Sequence, residues 1–122
     1  MAADYVIWHR PTCSTSRFVL AALREAGAEV WVRDYVRQPP DVQEIMGALE
    51  ALGIGPRGLL RRKGNDYDRL GLSEPGLDDQ RLIGAMAEHP LLIERPVVFG
   101  PLGAILCRPK ERIFTFFAQG QG

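Results

Sequence analysis

The residue best placed to do chemistry in this 122-residue chain is Cys13, in the stretch Trp8-His9-Arg10-Pro11-Thr12-Cys13-Ser14-Thr15-Ser16-Arg17. That stretch joins a run of strand formers to a run with helical spacing, so Cys13 falls at or just before a helix N-terminus. Free backbone N–H groups and the positive end of the helix dipole stabilise an anion there. A thiol so placed has its pKa lowered to about 3.5–7.5. Ser14, Thr15 and Ser16 put hydroxyls near the sulfur, although the same residue types also serve as ordinary helix caps. Arg17, one turn up the helix, can add positive charge, and so can His9 if protonated. A lone cysteine is more often a small buried hydrophobe. The order strand, loop, Cys, helix, with Arg one turn later, favours a reactive thiol.

The spacing excludes other chemistries. Ser16 stands three residues after Cys13, so there is no Cys-x-x-Cys and no intrachain dithiol at this site. A phosphatase-type loop would place its Arg further from the Cys than Arg17 is. One thiol requires an external thiol to resolve any covalent intermediate. Cys107, in Ala104-Ile105-Leu106-Cys107, reads as core packing rather than as a resolving thiol. The two histidines, His9 and His89, lack ligand partners at metal-site spacing, so no metal is expected.

These residues need a scaffold. Tyr5–Trp8 reads as a first strand, and Ser14–Ala26 as a helix with Val19, Leu20, Leu23 and Ala26 on one face and Gly27 as its cap. Val30, Val32 and Tyr35 mark a second strand within Glu29–Tyr35. Pro39-Pro40-Asp41 announces a helix over Val42–Leu52, closed by Gly53. Gly53 to Gly76 holds six glycines and two prolines, which predicts a short helical turn at Pro56–Leu60 and then loop, anchored by Tyr67, Leu70 and Leu72. Asp78–Glu88 is a helix stopped by His89-Pro90. Val97–Phe99 and Ala104–Cys107 form a hairpin around Gly100–Gly103. A last helix runs Lys110–Phe117, with Pro109 at its first position. This order predicts one α/β domain, a mixed sheet with flanking helices.

Composition narrows the class. Apolar residues make up 46% and charged residues 25%, ordinary for a folded domain. The longest strictly apolar run, Phe18–Leu23, is too short to span a membrane. The start, Met-Ala-Ala-Asp, lacks the basic and apolar regions of a secretion leader, so a cytoplasmic location with reduced cysteines is expected. Lys plus Arg and Asp plus Glu each number 15, which argues against a nucleic-acid partner. All the cations but Lys63 and Lys110 are Arg. Coding bias accounts for such a skew, and Arg also suits bidentate recognition of oxyanions. Nothing in the sequence demands more than a monomer.

Several stretches resemble one family in register from Tyr5 to Phe117. They are the Cys13 loop, Leu59-Leu60-Arg61, Asp66-Tyr67-Asp68-Arg69-Leu70-Gly71-Leu72, His89-Pro90-Leu91-Leu92-Ile93-Glu94-Arg95-Pro96-Val97-Val98, Pro101-Leu102-Gly103 and Cys107-Arg108-Pro109. Together they are similar to the glutaredoxin-dependent arsenate reductases. The resemblance implies a thioredoxin-like fold, as a single domain over residues 1–122 with a helical insertion at about 41–90. It implies that Cys13 attacks arsenate and forms a covalent arsenic–thiolate adduct. Glutathione, a co-substrate rather than a bound cofactor, then adds, arsenite leaves, and glutaredoxin reduces the mixed disulfide. It implies that Arg61, Arg95 and Arg108 hold the oxyanion, although Arg62 could take the place of Arg61. It implies a cis Arg95–Pro96 bond facing the cysteine, with His9, Ser16, Arg17 and Pro96 in support. The family usually has Asn where this chain has Arg10. Two other readings use the same fold: a glutathione-dependent thiol reductase, which needs no oxyanion clamp, and a non-enzymatic Spx-like regulator, whose relatives usually carry Cys-x-x-Cys.

Overall fold

The computed structural model describes residues 4–121. The chain divides into two compact units, one made of the segments up to Gln38 and from Arg95 onward, the other of Pro39–Glu94.

The first unit is a four-stranded mixed sheet with two helices. Its elements are β1 (Tyr5–His9), α1 (Ser14–Glu25), β2 (Val30–Asp34), β3 (Val97–Gly100) and β4 (Gly103–Leu106), followed by a C-terminal helix over Arg112–Gln121. The strand order is β2-β1-β3-β4. β1 runs parallel to β2, pairing Ile7 with Val32. β3 runs antiparallel to β1, pairing Ile7 with Val98, and β4 runs antiparallel to β3.

A parallel β1–β2 pair needs a crossover, and α1 supplies it. Val19, Leu20, Ala22 and Leu23 of α1 pack with Ile7, Val98, Cys107, Ile113 and Phe116 in one buried cluster. Both helices therefore bury their apolar stripes against the Ile7–Val98 side of the sheet. The end of α1 is a Schellman motif: the Ala28 N–H reaches the Leu23 carbonyl and the Gly27 N–H the Arg24 carbonyl. Gly27 sits at φ +81°, which glycine adopts without strain. Gly100 is required for a different reason, because a Cβ there would lie 2.6 Å from the Tyr5 ring.

The second unit is helical. α2 (Val42–Leu52), α3 (Pro56–Leu59), α4 (Asp66–Arg69) and α5 (Asp79–Glu88) are followed by a 3₁₀ turn over Pro90–Leu92. Leu60 pairs with Ile93 in an isolated antiparallel bridge. Ile45, Ala48, Leu49, Leu59, Leu72, Leu82, Ile83, Met86 and Ile93 are among its buried residues. Asp41 opens α2 with a full capping box: its carboxylate accepts from the Glu44 N–H at 2.8 Å, and the Glu44 carboxylate accepts from the Asp41 N–H at 3.2 Å. Asp41→Ala should cost about 1 kcal/mol, read as a lower urea midpoint at unchanged slope.

Three expectations need correction. Residues expected as loop after Leu60 include α4, whose four residues are too few to show periodicity. The chain after β4 makes a turn, with the Arg112 N–H on the Pro109 carbonyl. The last helix therefore starts at Arg112, not Lys110, and Pro109 is not its first residue. Cys107 lies one residue past β4 rather than inside it, yet it is fully buried.

Candidate active site

The loop between β1 and α1 is short and internally bonded. The Cys13 N–H donates to the Arg10 carbonyl at 2.9 Å, folding Arg10–Cys13 into a turn. Cys13 takes the extended backbone of an N-cap, φ −96° and ψ 121°. Its carbonyl accepts the Arg17 N–H at 3.0 Å, the first bond of α1. No side chain caps α1 among the described residues, so the first-turn N–H groups face the thiol without a competing oxygen.

The sulfur exploits this. Burial by itself pushes the half-buried Cys13 thiol up. Hydrogen bonds from the Ser16 backbone N–H, the Arg95 guanidinium and the Thr15 backbone N–H, together with the Arg95 charge, outweigh it. The net result holds Cys13 below the ordinary thiol range.

Arg95 arrives from the other end of the chain. The Arg95–Pro96 bond is cis, as expected, and so is Arg108–Pro109, which was not. The Pro96 carbonyl accepts the Cys107 N–H at 3.1 Å. The Arg95 carbonyl accepts from Arg108 Nη1, also at 3.1 Å. Arg108 is thereby tied to the backbone of the residue that meets the sulfur. Beside it a hollow of about 300 Å³ is lined by Thr15, Arg108, Pro109, Lys110 and Glu111. The Arg95 Nε and Nη1 atoms are buried without a hydrogen-bond partner. A buried unsatisfied donor costs about 1–3 kcal/mol, and an anionic oxygen would relieve that cost.

The supporting residues differ from expectation in their roles. Ser16 is fully buried. Its hydroxyl does not serve the sulfur; it lies 2.6 Å from His9 Nδ1 and accepts the Arg10 N–H at 3.1 Å. The backbone of Ser16 meets Cys13 instead. His9, 6% exposed, is not a cation. Burial lowers it most, Asp34 raises it, and Arg24 and Arg17 lower it further, so it is neutral at pH 7. Arg17 donates from Nη1 to the Pro11 carbonyl at 2.9 Å, which ties the loop to the helix. Arg10 Nε is also buried and without a partner. No spacing rule pointed to these backbone contacts, because loop closure creates them.

Arg61 belongs to the second unit. Its N–H donates to the Leu92 carbonyl at 2.6 Å, and its Nη1 donates to Glu94 Oε1 at 2.8 Å. Arg61 is half-buried, whereas Arg62 is exposed.

Cys107 is a different kind of thiol. Burial pushes it up to about 12, against a lowering by Arg112. Iodoacetamide should alkylate Cys13 with a midpoint below the ordinary thiol pKa and leave Cys107 untouched until the chain unfolds. Peptide mass mapping across pH reads both. Equal labelling of the two cysteines in the folded protein would contradict the assignment.

Among the described residues no His, Cys, Asp and Glu cluster could hold a metal, and no helix is long and apolar enough to cross a membrane.

Known proteins share this architecture. The chain is 46% identical over 105 residues to an arsenate reductase of Rhizobium meliloti, covering 86% of this chain and 75% of that one. It is 40% identical over 119 residues to an arsenate reductase of Escherichia coli K12, covering 98% and 84%. The solved structure of an arsenate reductase from Vibrio cholerae superposes with a TM-score of 0.89 at 39% identity, covering 94% of this chain and 98% of that one. The mixed sheet with flanking helices is thus the thioredoxin-like fold of these structures. Residues 8–116, which include the Cys13 loop and both Arg95 and Arg108, match the ArsC family, to which this chain belongs.

Proposed function

We propose that this protein is an arsenate reductase, an oxidoreductase in which Cys13 is the nucleophile. One observation carries the reading: a thiol whose pKa is lowered by the N–H groups of a helix N-terminus and by Arg95, whose Nε and Nη1 are buried and unpaired. A thiolate beside unsatisfied guanidinium donors suits a tetrahedral oxyanion. Relatives named arsenate reductase at 40–46% identity support the choice of arsenate.

Arsenate near neutral pH carries about two negative charges, like phosphate, and so needs cations to hold it. Arg95 and Arg108 are the proposed ligands in the sheet unit. Arg61 is proposed as the third on the resemblance alone. The Cys13 thiolate attacks arsenic and displaces one oxygen, which leaves as water after protonation. Arg95 stabilises the charge that develops on the departing oxygen. Glutathione supplies the second thiol. Cys13 and glutathione end as a mixed disulfide, and the electron pair they release reduces arsenic to arsenite. Glutaredoxin then reduces the disulfide and returns Cys13 to the thiol. No metal or bound cofactor enters this cycle. His9, Ser16 and Arg17 position the loop, and Pro96 carries Arg95 to it. The protein is proposed to work as a cytoplasmic monomer, its two units serving as one arsenate-reductase-type domain.

The test is coupled NADPH consumption with glutathione, glutathione reductase, glutaredoxin and arsenate. Consumption that requires both arsenate and Cys13 supports the reading. A folded protein whose Cys13 alkylates rapidly at low pH, yet which consumes no NADPH with arsenate, would overturn arsenate as substrate.

A further inference from the structure

A second hollow, of about 500 Å³, runs along α1 and is lined by His9, Pro11, Arg17, Leu20, Ala21, Arg24 and Glu25. We propose that this groove is the binding site for the reducing thiol, a small anionic tripeptide of the glutathione class, with Arg17 and Arg24 receiving its carboxylates. The inference rests on the reading of Cys13 as a nucleophile that an external thiol must resolve.

Position, size and charge support it. One end of the groove is Pro11 and Arg17, joined by the 2.9 Å bond from Arg17 Nη1 to the Pro11 carbonyl. Pro11 stands two residues before Cys13, and Arg17 one turn after it. From there the groove follows α1 to Arg24 and Glu25. Seven residues of helix span about 10 Å, and three extended residues reach about the same distance. The volume lies within the range of small-ligand sites, about 300–1,000 Å³.

Glutathione carries two carboxylates and one ammonium, a net single negative charge. The groove carries two guanidinium groups and one carboxylate, its complement. Arg24 and Glu25 are both exposed and adjacent, so they match the zwitterionic γ-glutamyl end. Arg17 matches the glycine carboxylate. Leu20 and Ala21 give the stem an apolar floor. The groove uses neither Arg95 nor Arg108, so oxyanion and thiol can occupy the protein together.

Arg24→Glu should raise the KM for glutathione about tenfold and leave the KM for arsenate unchanged. Turnover with 2-mercaptoethanol, which has no carboxylate, should not change. Because Arg24 also acts on His9, Ala21→Trp is the second variant; it fills the groove without altering charge and should raise the same KM. Glutathione sulfonate, which cannot react, should shift the amide resonances of Arg17, Ala21 and Arg24 in the wild type and not in Ala21→Trp. An unchanged KM for glutathione in both variants, with wild-type arsenate reduction intact, would overturn the groove and spare the proposed reaction. Sulfonate binding in the groove of a protein that shows no arsenate reduction would do the reverse.

Discussion

Cys13→Ser should lower arsenate-dependent NADPH consumption by at least about 10⁴-fold, the scale on which enzymes lose rate when the nucleophile is removed. Two effects combine. A serine hydroxyl is far less acidic than a thiol, so the Ser16 and Thr15 N–H groups and Arg95 cannot bring it into its ionised range near neutrality. Serine also cannot form the mixed disulfide, so the electron transfer has no route even if an ester formed. The fold should survive, because Cys13 is only half-buried and Ser is a favoured N-cap. A thermal melt at or slightly above that of the wild type would therefore accompany the lost activity. Retained arsenate reduction in this variant would remove Cys13 from the mechanism.

Arg95→Ala carries the second-largest expected effect, a fall of about 10²–10³-fold in kcat/KM for arsenate. It removes a hydrogen bond and a charge that lower Cys13, and the buried donors assigned to the oxyanion. Cys13 is an acid whose folded pKa is depressed, so it holds fewer protons in the native state than in the unfolded state between the two pKa values. Across that window stability rises with pH, and it is lost as pH falls through the folded pKa. Without Arg95 the folded pKa moves up towards the ordinary thiol value and the window narrows. The alkylation midpoint should rise with it, and the activity loss should be greater at pH 6 than at pH 8. Arg95→Lys should restore part of the shift but little of the rate, since an ammonium keeps the charge without the planar fork. An alkylation midpoint that did not move in Arg95→Ala would separate Arg95 from the thiolate.

Elements with strong local signals were legible in order. α2 falls on Val42–Leu52 as expected, because Asp41, Glu44 and Gly53 encode both its ends through neighbouring residues. α1 begins at Ser14 without a side-chain cap and ends at Glu25 because Gly27 follows. α4 was missed: a single turn with no buried residue carries no periodicity. The start of the last helix was misplaced because Pro109 fits a turn as well as a helix start, and the bond from Arg112 to Pro109 selects the turn.

The same division holds at the site. Residue spacing alone leaves one thiol at a strand-to-helix junction, with Ser16 rather than a second Cys three residues on to form an internal disulfide. It also made Cys107 a core residue, since its neighbours are apolar. What surrounds the sulfur is set by contacts between distant segments of the folded chain. Arg95 is 82 positions away by number, and the antiparallel pairing of β1 with β3 carries its segment to the Cys13 loop. Burial, helped by Arg24 and Arg17 and opposed by Asp34, keeps His9 neutral, which no residue count predicts. The Ser16 hydroxyl turns to His9 while its N–H turns to Cys13. A thiol's nucleophilicity depends on the few donors within hydrogen-bond reach. Chain closure sets those distances, whereas residue identity only makes them possible.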